Sequence, residues 1–216
     1  MRTEGPEREQ TYDQWLRRAD VDAVAQMCRF FMQDDPVHQT LRRIAAKLEE
    51  LGIAYAIAGG MALGAHRFVR ATVVVDVLVN AEGLKIIHEN LDGRGFVPPF
   101  SGSRNLKDVD TGVRIKFLVH GQFPGDGKPK PVAFPDPSDA WELIHGIRYL
   151  RLSALIEIKL ASGMTNSGRL RDLADVQELI RVLGLSRNFS QQLNPYVRAK
   201  FEELWRSVAD NPEPEE

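Results

Sequence analysis

Cysteine is almost missing. Cys28 is the single one among 216 residues, so no disulfide can form within the chain. A chain without disulfides suits a reducing compartment, and a cytoplasmic protein is the expectation. Cys28 sits in the apolar run VAQMCRFF, where packing is its ordinary role, because reactive thiols need cationic, exposed surroundings. Long apolar runs are absent as well. None approaches the ~20 residues of a membrane span, and the opening MRTEGPEREQ lacks the apolar stretch of a secretory signal. Charge of one sign is not in excess either: 28 Lys and Arg against 30 Asp and Glu leave a formal net charge of -2. The basic groups at Arg17 and Arg18, Arg42 and Arg43, and Arg148 and Arg151 are scattered and read as solvated helix faces, so nucleic-acid binding is not signalled. The histidines His38, His88, His120 and His145 have no mutual spacing that suggests zinc. No Ser-His-Asp or Cys-His constellation stands out.

What is present is an apolar fraction of 43%, enough for a sizeable core, distributed in a readable order. TYDQWLRRADVDAVAQMCRFFMQ reads as a helix in an N-terminal extension over residues 1–34. A helix opened by Asp35-Pro36 follows, with Val37, Leu41, Ile44, Ala45 and Leu48 at helical spacing. AYAIA is a short buried strand, MALGAHRF a short helix, TVVVDVLVN a strong strand and AEGLKIIHENLDGRG a helix. A weaker strand or two falls between Phe96 and Asp110, and GVRIKFLVH is a second strong strand. HGQFPGDGKPKPVAFPD, His120 to Asp136, is a long Gly/Pro-rich loop of the kind that carries function or mobility. The residues from 35 to 137 form the core unit, and those from 138 to 208 a helical C-terminal portion built from RLSALIEIKLASGM, RLRDLADVQELIRVLG and PYVRAKFEELWRSVA. The acidic residues 209–216 read as a disordered tail. The fold class is therefore α/β (α+β): a small mixed β-sheet flanked by helices, with a cleft between the sheet and the helical portion.

The stretches AIAGGMALGAH, RATVVVDVLV, GVRIKFLV, LIEIKLASGM and RLRDLADV together resemble the DNA polymerase beta-like nucleotidyltransferase superfamily, and within it the small bacterial branch that includes the nucleotidyltransferase toxins of abortive-infection systems. The resemblance runs from about Asp35 to Gly184. It implies a nucleotidyltransferase fold with a glycine pair before a helix, here Gly59 and Gly60. It implies two carboxylates at i and i+2 on the next strand and a third on a neighbouring strand. The three hold magnesium ions that activate a hydroxyl and neutralise a triphosphate. The spacing has a reason: residues i and i+2 of a strand share a face, and paired carboxylates share a hard cation. It further implies that Arg70, Thr72, Lys159, Arg169 and Asp172 border the nucleotide and its phosphates, and that an antitoxin-like protein could be a partner.

At the carboxylate positions the chain departs from this pattern. The first falls on Val74, the second on Asp76 and the third on Lys116, so two of the three acids are absent. With only Asp76 left, and an ammonium beside it, a magnesium site is doubtful. Three readings stay open. Asp76 and Lys116 form a cross-strand ion pair in a protein that has lost metal-dependent transfer but still binds a nucleotide or a partner. Or other acids, from Asp108, Asp110, Asp172 and Asp175, hold the metal. Or the paired change to Val74 and Lys116 marks a scaffold redesigned as an amine catalyst, in which Lys116 forms a Schiff base in retro-aldol-type chemistry. Arg169, Asp172 and Asp175 also stand at three-residue steps as a plain salt-bridge ladder would. His66 reads as structural, and Ser162 and Thr165 as helix-end polar residues unless the fold brings them to the cleft.

Overall fold

The computed structural model describes residue 12 and residues 29–211. Most of the expected N-terminal helix, with Cys28, and the last residues of the expected tail lie outside them.

Helix α1, Pro36–Glu50, starts where the sequence says. The Asp35 side chain accepts from the backbone N–H of Val37 at 2.7 Å, and proline occupies the first turn. Val37, Leu41, Ile44, Ala45 and Leu48 are all buried on one face. Strand β1, Tyr55–Ala58, is buried at all four positions, as a central strand covered on both sides must be. It runs straight into helix α2, Gly59–Ala65. Strand β2, Val74–Val79, helix α3, Ala81–Leu91, and strand β5, Arg114–Val119, follow the expected boundaries closely. The short strands β3, Phe96–Val97, and β4, Leu106–Asp108, fill the interval between Phe96 and Asp110.

The C-terminal third differs from the expectation in one respect. The portion from 138 onward is not purely helical, because it begins with a hairpin of β6, Trp141–Ile144, and β7, Ile147–Leu150. His145 and Gly146 both have positive φ, 49° and 78°, which is what a two-residue hairpin turn with the twist of its strands requires. β7 then pairs in parallel with β1 through Ile57 and Tyr149, so the hairpin extends the sheet. Helices α4, Leu152–Thr165, α5, Leu170–Leu183, and α6, Pro195–Asp210, complete the chain, and α6 runs two residues into the stretch expected as tail.

The result is a mixed seven-stranded sheet of order β3-β4-β5-β2-β1-β7-β6. β2 lies at its centre, antiparallel to β1 and parallel to β5. On β2, Val75 and Val77 are fully buried toward one face, and Asp76 and Leu78 alternate to the other. α4 is buried on most sides: Leu155, Ile156, Leu160 and Ala161 have almost no exposure, and the helix packs against α5 and α6. Among the described residues, no helix is long and apolar enough to cross a membrane.

Candidate functional site

A cavity of about 720 Å³ opens between one face of this sheet and helices α4 and α5. Every element that touches it contributes from a position fixed by the fold. The β1–α2 turn brings Gly59 and Gly60, the segment after α2 brings Arg70 and Thr72, and β2 brings Asp76. β5 brings Lys116 and Leu118, α4 brings Lys159 and Ser162, and the 3-10 turn with the start of α5 brings Arg169 and Asp172. The nine residues singled out in the sequence thus meet in one place. Val74 does not form part of the wall. It shares the face of Asp76 but lies two residues outward, past Ala58–Asp76, the last pair of β1 with β2.

The glycine pair is explained by the sheet itself. Gly59 has φ +60°, and a β-carbon there would stand 2.0 Å from Asp76 Oδ2. A β-carbon on Gly60 would stand 2.8 Å from the Thr72 Cβ. The turn therefore lies directly on β2 and the residues that lead into it, with the Asp76 carboxylate against the Gly59 backbone.

Asp76 and Lys116 are partners in the β2–β5 register, as the alternation of faces requires. The expected ion pair does not close, however. Among the described residues neither side chain has a hydrogen bond or an ion pair within 4.0 Å. The Asp76 carboxylate instead lies against the Gly59 backbone on the β1 side. Asp76 is only partly reached by solvent. Burial pushes its carboxyl up from the ordinary range, against the opposing pull of Lys116, Lys159 and Arg169.

The other cations of the cavity are engaged. Arg70 donates from Nε to Asp175 Oδ1 at 2.7 Å and from Nη2 to Oδ2 at 2.9 Å. Lys159, only 4% exposed, donates to Asp175 at 2.6 Å and to Asp172 at 3.0 Å. Ser162 donates to Asp172 at 2.7 Å. Burial alone would raise the Asp172 carboxyl, but Lys159, Ser162 and Arg169 outweigh it and hold the group below the usual carboxylate range. The ladder expected from the three-residue steps is therefore part of a wider network that ties the loop after α2 to α4 and α5.

Two of the alternative metal acids lie elsewhere. Asp108 is fully buried at the end of β4 and accepts from Arg43 at 2.8 Å, from Thr40 at 3.2 Å and from the Asp110 backbone at 2.9 Å. Asp110 pairs with the same Arg43. This polar cluster fastens α1 to β4 outside the cavity. Asp175 and Asp172 are committed to cations and a hydroxyl. Among the described residues no three His, Cys, Asp or Glu side chains gather as a ligand set. A magnesium ion prefers several oxygens in near-octahedral order; one carboxylate turned to a glycine, with an ammonium on the next strand, does not fit it.

Two contributors were not among the residues singled out in the sequence, although the loop that supplies one of them was. Arg104, from the segment before β4, donates to Gln122 Oε1 at 2.8 Å and reaches the rim. The Gly/Pro-rich loop contributes Phe123, Pro124 and Gly125, and Asn166 at the end of α4 donates to the Gly125 carbonyl at 3.3 Å. Only the loop had a signal in the sequence, its length and composition. Ser162 reaches the cleft, while Thr165 donates back to Ala161 at 2.7 Å as a helix-end residue does. His66 is buried, its Nε2 2.8 Å from the Leu150 carbonyl and outside the cavity, so it serves the structure.

No protein-family model matches this chain, and no curated protein matches it. Solved structures do. ANT(2″)-Ia, in complex with adenylyl-2″-tobramycin, shares 13% identity over 79% of this chain and 97% of its own, with a TM-score of 0.48. A Thermotoga maritima protein described as a nucleotidyltransferase shares 15% over 66% and 91%, with a TM-score of 0.42. A solution structure of the antibiotic-resistance factor ANT(2″)-Ia shares 15% over 78% and 90%, with a TM-score of 0.42. At such identities and TM-scores, nothing those proteins bind or do passes to this chain.

Proposed function

We propose that this chain is a nucleotidyltransferase-like protein that holds a nucleoside phosphate in the cavity between β2, β5 and α4, and that it does not carry out metal-dependent nucleotidyl transfer. One observation carries the reading: at the cavity floor a single carboxylate, Asp76, stands in register with the ammonium of Lys116, where transfer chemistry would need a cluster of oxygens. The volume of about 720 Å³ is of the size that small-molecule ligands occupy. Its walls divide in the way a nucleoside phosphate does. Lys116, Arg104 and Arg169 offer cations to an anion, while Leu118, Phe134 and Leu155 offer apolar surface to a base.

The amine-catalyst reading draws less support. It needs an apolar pocket beside Lys116 opened by Val74, and Val74 is not in the wall. A reading with other metal acids draws less still, since Asp108 and Asp110 are placed outside the cavity.

The test is a pair of measurements on the full chain. Thermal unfolding with each of the four nucleoside triphosphates is expected to show stabilisation by at least one. Incubation with the same labelled nucleotides and magnesium or manganese is expected to leave no label on protein, nucleic acid or small acceptors. Metal-dependent labelling that Asp76→Asn abolishes would overturn the reading, and so would a chain that no nucleotide stabilises.

A further inference from the structure

We propose that the cavity takes its polyphosphate free of divalent metal, with the Lys116 ammonium standing in for the cation. This inference rests on the nucleoside-phosphate reading above. It starts from a difference among the cavity's cations. Arg70 is held by both oxygens of Asp175, and Lys159 by Asp172 and Asp175. Arg104 is held by Gln122, and Arg169 lies 3.7 Å from Asp172. Lys116 has no such partner among the described residues, although Asp76 is its register neighbour. The carboxylate that would neutralise it is turned against Gly59. Its N–H donors therefore face the cavity uncommitted.

An ammonium in that position competes with a divalent ion for the same phosphate oxygens. Both are positive. A complexed metal occupies some of those oxygens and cancels part of the negative charge that draws the ligand to Lys116. A metal-free polyphosphate offers those oxygens to Lys116 directly, through charge-assisted hydrogen bonds. The usual dependence on a divalent ion is then inverted: magnesium competes with the site for the ligand. Polyphosphate alone and nucleoside triphosphate share this chemistry. The apolar wall at Leu118 and Leu155 favours the latter.

The experiment is calorimetric titration of the full chain with ATP, GTP, CTP, UTP and inorganic tripolyphosphate. Each is measured in EDTA and in excess magnesium at matched ionic strength, for the wild type, Lys116→Met and Lys116→Arg. The best nucleotide is expected to bind about ten-fold or more tightly in EDTA than in magnesium, the scale of one charge-assisted hydrogen bond. Lys116→Met is expected to lose about that factor in EDTA and to lose the sensitivity to magnesium, while Lys116→Arg keeps both. Circular dichroism and thermal unfolding confirm that the variants fold. Equal or tighter binding in magnesium, or wild-type binding by Lys116→Met, would overturn the inference while the nucleotide reading stands. Tripolyphosphate bound as tightly as any nucleotide, with the same metal pattern, would keep the role of Lys116 and overturn the nucleoside part. No binding by any of the five would overturn both.

Discussion

The close contact between the β1–α2 turn and β2 makes Gly59→Ala a quantitative test of the site's geometry. Alanine there meets two costs. At φ +60° an L-residue is disfavoured by about 1–2 kcal/mol. Its methyl would also lie 2.0 Å from Asp76 Oδ2, 2.8 Å from Cγ and 3.1 Å from Cβ, so the carboxylate must leave its place in a packed floor, at a cost of about 1–3 kcal/mol. The sum is about 2–5 kcal/mol, read as a drop in the urea midpoint with an unchanged m-value. The second cost depends on Asp76 and the first does not. On an Asp76→Ala background only the contact with Cβ remains, and the loss is expected to fall to about 1–2 kcal/mol, the backbone cost alone. A coupling of about 1–3 kcal/mol between the two positions follows. An equal loss on both backgrounds, or a loss below about 1 kcal/mol in the wild type, would refute the placement of the carboxylate against the turn.

Asp76→Asn is expected to raise thermal stability at neutral pH. Burial raises the folded-state pKa of Asp76, so the folded chain binds this proton more tightly than the unfolded chain. The ionised group therefore penalises the fold above the folded-state pKa, and the penalty is relieved as pH falls toward the unfolded value. The gain over wild type should be largest at neutral pH and shrink on acidification; a constant difference in melting temperature across that range would contradict it. Lys159→Met leaves Asp175 with Arg70 but strips Asp172 of a buried partner, and is expected to destabilise by about 3 kcal/mol in chemical unfolding, against near neutrality if the network were merely superficial. His145→Gly relieves a positive φ of 49° in the β6–β7 turn and is expected to raise the unfolding free energy by up to about 1 kcal/mol, whereas a loss would show that the His145 side chain has a structural task.

The parts of the fold that were legible in the sequence have unmixed local signals. Val73 to Val79 is almost wholly β-branched, and Asp35-Pro36 is both cap and first turn. The period of two along β2 and β5 was enough to put Asp76 and Lys116 on one face. The hairpin from Trp141 to Leu150 was not legible. Its turn is His-Gly rather than the usual Asn-Gly or Asp-Gly, and its edge strand is half exposed and weakly patterned. The missing ion pair was not legible either. Register says which Cα atoms are neighbours, but it does not say which way a short carboxylate turns when a glycine leaves room on its other side. Asp108 and Asp110 were plausible ligands only as long as β4 had no place; two strands from β2 in the sheet order, they serve α1 instead.

The proposed reading turns on the ammonium of Lys116 standing in register with Asp76, where a divalent ion would need further carboxylates. Manganese titration followed by electron paramagnetic resonance tests it most directly, on the wild type and on the folded variant Lys116→Asp. The expected result is no stoichiometric manganese in the wild type and bound ion in the variant, where a carboxylate replaces the ammonium in register with Asp76. One manganese ion bound to the wild type and released by Asp76→Asn would contradict it.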